Sequence, residues 1–176
     1  MKIVIYLMTL AFALQSSAAN AQALWGGAAY GMDVAQVQAR VPQARVPDNP
    51  DELAGGEREG LRVEGVEVAG YLFQASYFFA AGALVQVDLV HEATRAGRAD
   101  LQVFEDVAAA LEGKHGAPAG STRQDEPFER RRVHWQVAET QMALLLFQVG
   151  DASLVKVIYQ VQPPDAPPPV RLRSGG

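Results

Sequence analysis

Between Tyr71 and His91 the chain alternates apolar and polar residues in two successive runs with a glycine between them, and few folds accommodate that. Tyr71, Phe73, Ala75, Tyr77 and Phe79 recur with a period of two, and Val85, Val87, Leu89 and His91 continue it beyond Ala80-Ala81-Gly82. A period of two belongs to strands with one buried face, and the short Gly-containing gap to an antiparallel hairpin. Read with a three-residue turn, Phe79 opposes Ala83, Tyr77 meets Val85, Ala75 meets Val87 and Phe73 meets Leu89. All the apolar side chains then share one face. A single hairpin cannot shield such a face by itself, so the rest of the chain has to cover it.

The flanking segments supply suitable elements. Asp33 and Gln36 have the spacing of a capping box, Met32 precedes the cap, Val34, Val37 and Val41 share one helical face, and Pro42 ends the run. Pro42 to Gly60 reads as a long surface connection. Leu61 to Glu64 begins a strand, and Gly65 shifts the apolar phase to Val66 and Val68, as a bulge does. A second helix is expected from Asp100 to His115. Its stripe is Leu101, Phe104, Val107, Ala108 and Leu111, with Glu105, Asp106 and Glu112 outward and Gly116 and Pro118 closing it. Val133, Trp135 and Val137 then alternate again. A turn at Glu139-Thr140 sets Val137 against Met142, Trp135 against Leu144 and Val133 against Leu146. A further turn from Gly150 to Ser153 sets Leu146 against Val157 and Leu144 against Tyr159. Trp135 is expected in the core, close to Phe104 and Leu111.

The expectation is an α+β fold: two helix–three-strand units, 24–92 and 98–161, sharing a curved antiparallel sheet with the helices on one face. Val37 and Val41 correspond to Val107 and Leu111 at an offset of 70, as Val85 and Val87 do to Val155 and Val157. Tyr71 and Phe73 need an offset of 71, so the repeat is architectural. A single domain, 24–161, follows.

Both ends read differently from this domain. Lys2, the apolar run Ile3–Leu14 and the small-x-small triplet Ala21-Gln22-Ala23 form an export signal cleaved after Ala23, leaving Leu24 first. The alternative, an uncleaved anchor, meets the difficulty that so short a run does not span a bilayer core of about 30 Å as a helix. Gln162 to Gly176 contains five prolines and reads as a disordered tail. The chain has no cysteine, which excludes disulfides, thiol catalysis and the lipidated cysteine of a bacterial lipoprotein. A soluble periplasmic protein is expected. The formal charge of −5 argues against nucleic acid as a partner, because phosphate binding needs a basic excess. Arg130-Arg131-Arg132 reads as a solvated strand end or an anion site.

No catalytic, metal-binding or cofactor-binding pattern is present. Nucleophile-elbow, zincin, phosphate-loop and EF-hand spacings are all missing, and His91, His115 and His134 are not at helical ligand spacing. Asp51-Glu52 and Glu57…Glu59 read as solvation in preference to a calcium site, and Trp25 with Tyr30 as a hydrophobic cover or a ligand platform. No metal and no cofactor are expected.

The opening Trp25-Gly26, then Gly31-Met32-Asp33 and Gln36-Val37 before a curved sheet, resembles small exported domains of the β-lactamase-inhibitor-like class. That fold group also includes the small lipoprotein of the outer-membrane β-barrel assembly machinery. Asp33 stands where the group has Ser or Thr, Gln36 where it has Glu, and no lipidated cysteine precedes the motif. The resemblance implies action by protein binding through a sheet face or loops.

Two functions follow as expectations. One is a non-enzymatic periplasmic binding module: an inhibitor, immunity protein or envelope-assembly accessory. The other is a small hydrolase or ligand carrier whose site assembles only in three dimensions. For the first, the outer sheet face should carry Leu145, Phe147 and Ile158 side by side, bordered by Arg132, His134 and Lys156. Such a strip needs a cover, from the Pro-rich tail or the Pro42–Gly60 connection, or a partner protein with an acidic rim.

Overall fold

The computed structural model describes residues 22–92, 98–150 and 152–161. The expected Pro-rich tail, and all but the last two residues of the expected signal, lie outside them. The chain is α+β. Helix α1 (Val34–Arg40) is followed by strands β1 (Arg58–Val68), β2 (Tyr71–Ala80) and β3 (Ala83–His91). Helix α2 (Arg98–His115) is followed by β4 (Gly120–Gln124), β5 (Glu129–Val137), β6 (Thr140–Val149) and β7 (Ala152–Val161). The strands form one antiparallel sheet in the order β1-β2-β3-β7-β6-β5-β4. Three strands thus follow α1 and four follow α2. The unanticipated strand is β4, whose sequence Gly-Ser-Thr-Arg-Gln offers no apolar residue to reveal a period. Among the described residues no helix is long and apolar enough to cross a membrane.

The hairpins are tighter than the sequence suggests. Val68 pairs with Tyr71, Ala80 with Ala83, Val137 with Thr140 and Val149 with Ala152, so each turn has two residues. The first positions, Ala69, Ala81 and Ala138, have φ of 53°, 48° and 51°. Such turns match the twist of the strands but require left-handed backbone, which alanine does not advertise. Across β5–β6 and β6–β7 the tighter turns move the expected pairings by two; across β2–β3 the turn contributes one residue and an irregularity between Phe78 and Phe79 the other. Tyr77 faces Val87, Ala75 faces Leu89, Trp135 faces Met142, Val133 faces Leu144, Leu144 faces Val157 and Leu146 faces Val155. Because the side-chain period is two, each residue keeps its face despite the shift. The exception is Val85. An irregularity between Phe78 and Phe79 lets Leu84 take the buried place expected for it. Replacing Ala81 with Asn, giving Asn-Gly at a turn with φ of 48° and 82°, should raise stability by about 1 kcal/mol in a denaturant titration.

Both helices pack on the same face of the sheet. The capping box of α1 forms as expected: Gln36 N–H donates to Asp33 Oδ1 (2.8 Å) and Asp33 N–H to Gln36 Oε1 (2.9 Å). Val37 and Val41 are buried. The Pro42–Gly60 segment is more than a surface connection. Arg45 and Arg62 exchange backbone hydrogen bonds of 2.9 and 2.8 Å, so the segment lies along the outer edge of β1 and shields it from further pairing. On α2, Val103, Phe104, Val107 and Leu111 enter the core beside Trp135, whose indole N–H donates to Gly116 O at 3.0 Å.

Helix α2 starts two residues before the expected Asp100, and that residue anchors it. Asp100 is 1% exposed and accepts a hydrogen bond from the Ser153 hydroxyl on β7; His91 Nδ1 at the end of β3 lies 3.2 Å from its other oxygen. Asp106, expected to face outward, is half-buried and accepts from the Tyr71 hydroxyl at 2.6 Å. These contacts pin the first half of α2 to the strand ends.

Candidate functional site

Alternation along the strands sends every second side chain to the face opposite the helices, where the register sorts them into rows. One row runs Arg62, Ser76, Asp88, Ile158, Ala143, His134 across β1, β2, β3, β7, β6 and β5. The next contains Gln74, Val90, Lys156, Leu145 and Arg132. Beyond it Leu154, Phe147 and Arg130 align. On the other side lie four glutamines in register: Gln86, Gln160, Gln141 and Gln136.

All six expected site residues occupy this face, with two differences in arrangement. Leu145 pairs with Lys156, and Ile158 pairs with Ala143, so Ile158 is a diagonal neighbour of Leu145. The cause is the tighter β6–β7 turn. Lys156 is also not a free rim cation: its ammonium contacts the carboxylate of Asp88, which is 1% exposed. Arg130, Arg132 and His134 have no ion-pair partner among the described residues. Arg130 instead lies over the Phe147 ring, 5.3 Å from its centroid, and Phe128 meets that ring edge-on at 5.7 Å. Leu154 is 40% exposed and Phe128 38%. They extend the apolar strip, and the sequence reading missed both because each borders a turn. The Pro42–Gly60 segment reaches β1, at the opposite edge of the sheet, and the tail lies outside the described residues.

On the β1–β3 half of the same face, Glu59, Ser76 and Asp88 are buried polar residues, with Arg62 half-buried beside Glu59. Glu59, 4% exposed, accepts from Arg62 Nε at 2.8 Å and from Asp51 N–H at 3.0 Å. Burial pushes its carboxyl upward, but hydrogen bonds from Arg62, Asp51 and Ser76 outweigh this and hold it below the ordinary value of 4.5. A depressed carboxyl stabilises the fold above its unfolded value and loses that contribution as pH falls through the folded value. Glu59→Gln should therefore cost about 1–3 kcal/mol near neutrality, and the difference from wild type should shrink in acid. Chemical denaturation across the pH range checks this.

Two other places collect polar groups. His91, Asp100 and Ser153 include the residue types of a hydrolytic triad, but the carboxylate stands between the other two. Nucleophile activation needs the imidazole in that position, so the cluster is an anchor for α2. The second is an open groove of about 1010 Å³ between residues 22–28, the end of α2 and the β5–β6 turn, lined by Trp25, His115, Thr140, Met142 and Tyr159 among others. Burial, and then Lys114, depress the His115 imidazole. Trp25 is half-buried against Tyr77, with centroids 6.5 Å apart, whereas Tyr30 is 41% exposed. The three histidines thus sit in three separate environments: His91 at the α2 anchor, His115 in the groove and His134 on the open face against Gly120.

Comparison with protein-family models, with curated proteins and with solved structures gave no match.

Proposed function

We propose that the protein is an exported, periplasmic binding module that acts without catalysis, through the sheet face opposite its helices. In this reading the N-terminal segment is an export signal. The chain forms two helix-led units joined where β3 meets β7, and its likeness is to the β-lactamase-inhibitor-like group. The observation that carries the proposal is the apolar strip of Leu145, Phe147 and Ile158, continued by Leu154 and Phe128. Beside it stand Arg130, Arg132 and His134, without acidic partners among the described residues. An apolar strip flanked by the Arg130 and Arg132 guanidinium groups fits a protein surface whose apolar patch has an acidic rim. The partner is a protein of the envelope or a secreted one, and the role that of an inhibitor, an immunity protein or an assembly accessory.

The test is Phe147→Ser combined with Ile158→Ser, both on half-buried positions of the open face. The double variant should keep its thermal midpoint within a few degrees and lose capture of its envelope partner, and Arg132→Glu should weaken capture. Wild-type capture should weaken as salt screens the cations. Unfolding of the double variant would identify the strip as core, and a folded variant with full capture would place the interface elsewhere.

The groove beside Trp25 favours a second reading, a ligand carrier. Under that reading a small molecule copurifies with the protein, is detected by mass spectrometry of an organic extract, and is lost in Trp25→Ala.

A further inference from the structure

The first described residues are built into the fold. Gln22 O accepts from Tyr30 N–H at 2.9 Å, Ala23 pairs with Ala29 in an antiparallel bridge, and Ala23 O accepts from the Thr140 hydroxyl at 2.9 Å. Thr140 is 7% exposed and sits at the start of β6, so this contact ties the N-terminal arm to a central hairpin of the second half. Leu24 itself is 7% exposed in the core, and its N–H donates to Ala28 O at 2.9 Å inside a tight turn.

A chain beginning at Leu24 would lose all of the Gln22 and Ala23 contacts. The Thr140 hydroxyl and the Tyr30 N–H would have no acceptor from the arm. The Leu24 nitrogen would become a charged ammonium within a turn whose side chain is buried, and charge beside apolar core is unfavourable. A chain beginning at Gln22 keeps every one of these bonds and carries its ammonium two residues farther out.

The sequence offers a second small-x-small triplet that meets this requirement, Ala19-Asn20-Ala21, overlapping Ala21-Gln22-Ala23. Both are small-x-small triplets, and only cleavage after the first leaves Gln22 and Ala23 in the mature chain to make the contacts above. We infer that processing hydrolyses the Ala21–Gln22 peptide bond and makes Gln22 the first residue of the mature protein. Water adds across that bond, leaving a carboxylate on Ala21 and an amine on Gln22. The inference rests on the reading of the N-terminal segment as an export signal, and it moves the expected cleavage position by two residues.

The test is the intact mass of the full-length chain after expression in a Gram-negative host and release from the periplasm. The expected mass begins at Gln22, either unchanged or lacking one ammonia through cyclisation of the terminal glutamine. A mass beginning at Leu24 overturns the inference and leaves export standing. A chain that retains Met1 in the membrane pellet overturns both. Ala19→Leu makes the upstream triplet unusable and leaves Ala21-Gln22-Ala23 intact, so it should move the start to Leu24 and lower the thermal midpoint by several degrees. A Leu24-start protein as stable as wild type would overturn the claim that the fold depends on Gln22 and Ala23.

Discussion

Replacing Trp135 with alanine should remove about 3–5 kcal/mol of stability, a large share of the 5–15 kcal/mol typical of a domain. The indole is 2% exposed, belongs to the core that includes Phe104 and Leu111, and donates to the Gly116 carbonyl at the end of α2. Truncation therefore opens a cavity beneath the helix and deprives that carbonyl of its donor. Urea titration of Trp135→Ala measures the loss. In a Trp25→Phe background, the emission of wild-type Trp135 should have the short-wavelength maximum of a dry indole. A loss below about 1 kcal/mol, or a water-like maximum, would contradict the placement of Trp135.

Lys156→Ala should have the next largest effect, about 3 kcal/mol at neutral pH, because it leaves the carboxylate of Asp88 buried without its cation. Burial raises the Asp88 carboxyl above its ordinary value, while Lys156 and a hydrogen bond from Gln86 pull it down. Because the net shift is upward, the native state holds the proton more tightly than the unfolded chain. Stability from this group is present in acid and declines as pH rises through the folded value. Removing Lys156 enlarges that shift, so the deficit should be greatest at neutral pH and fade in acid. Adding Asp88→Asn should restore most of the lost stability at neutral pH. A deficit independent of pH would show that Lys156 acts only by packing.

The sequence made the faces legible but not the register. Apolar alternation assigns Tyr77, Val87, Trp135 and Leu144 to the core, and the net shift of two leaves each face unchanged; in β2–β3 that shift needs the irregularity between Phe78 and Phe79 as well as the shorter turn. Turn length was hidden by Ala69, Ala81 and Ala138, which occupy left-handed positions where glycine, asparagine or aspartate would have signalled a two-residue turn. Strand β4 was hidden because an exposed edge strand of polar residues has no apolar period.

The same logic divides the candidate site. Leu145, Phe147 and Ile158 stood out as apolar residues in polar phase, so their common face could be read directly. The Lys156–Asp88 contact could not be, since the two residues meet only when β7 lies beside β3, a pairing between strands far apart in the chain. Along β3 alone, Asp88 is a polar residue between the core residues Val87 and Leu89. It is buried because Gln86 and Lys156 close around it, a property of rows across strands and not of the alternation along one.

The most direct test of the open face as the binding surface is site-specific photocrosslinking in the periplasm. A photoreactive residue at Leu154, exposed at the end of the apolar strip, should give one discrete heavier adduct that disappears when Phe147→Ser and Ile158→Ser are added. The same residue at Glu112, exposed on α2 across the sheet, should give none. Adducts from Glu112 and none from Leu154 would contradict the proposal and assign binding to the helical side.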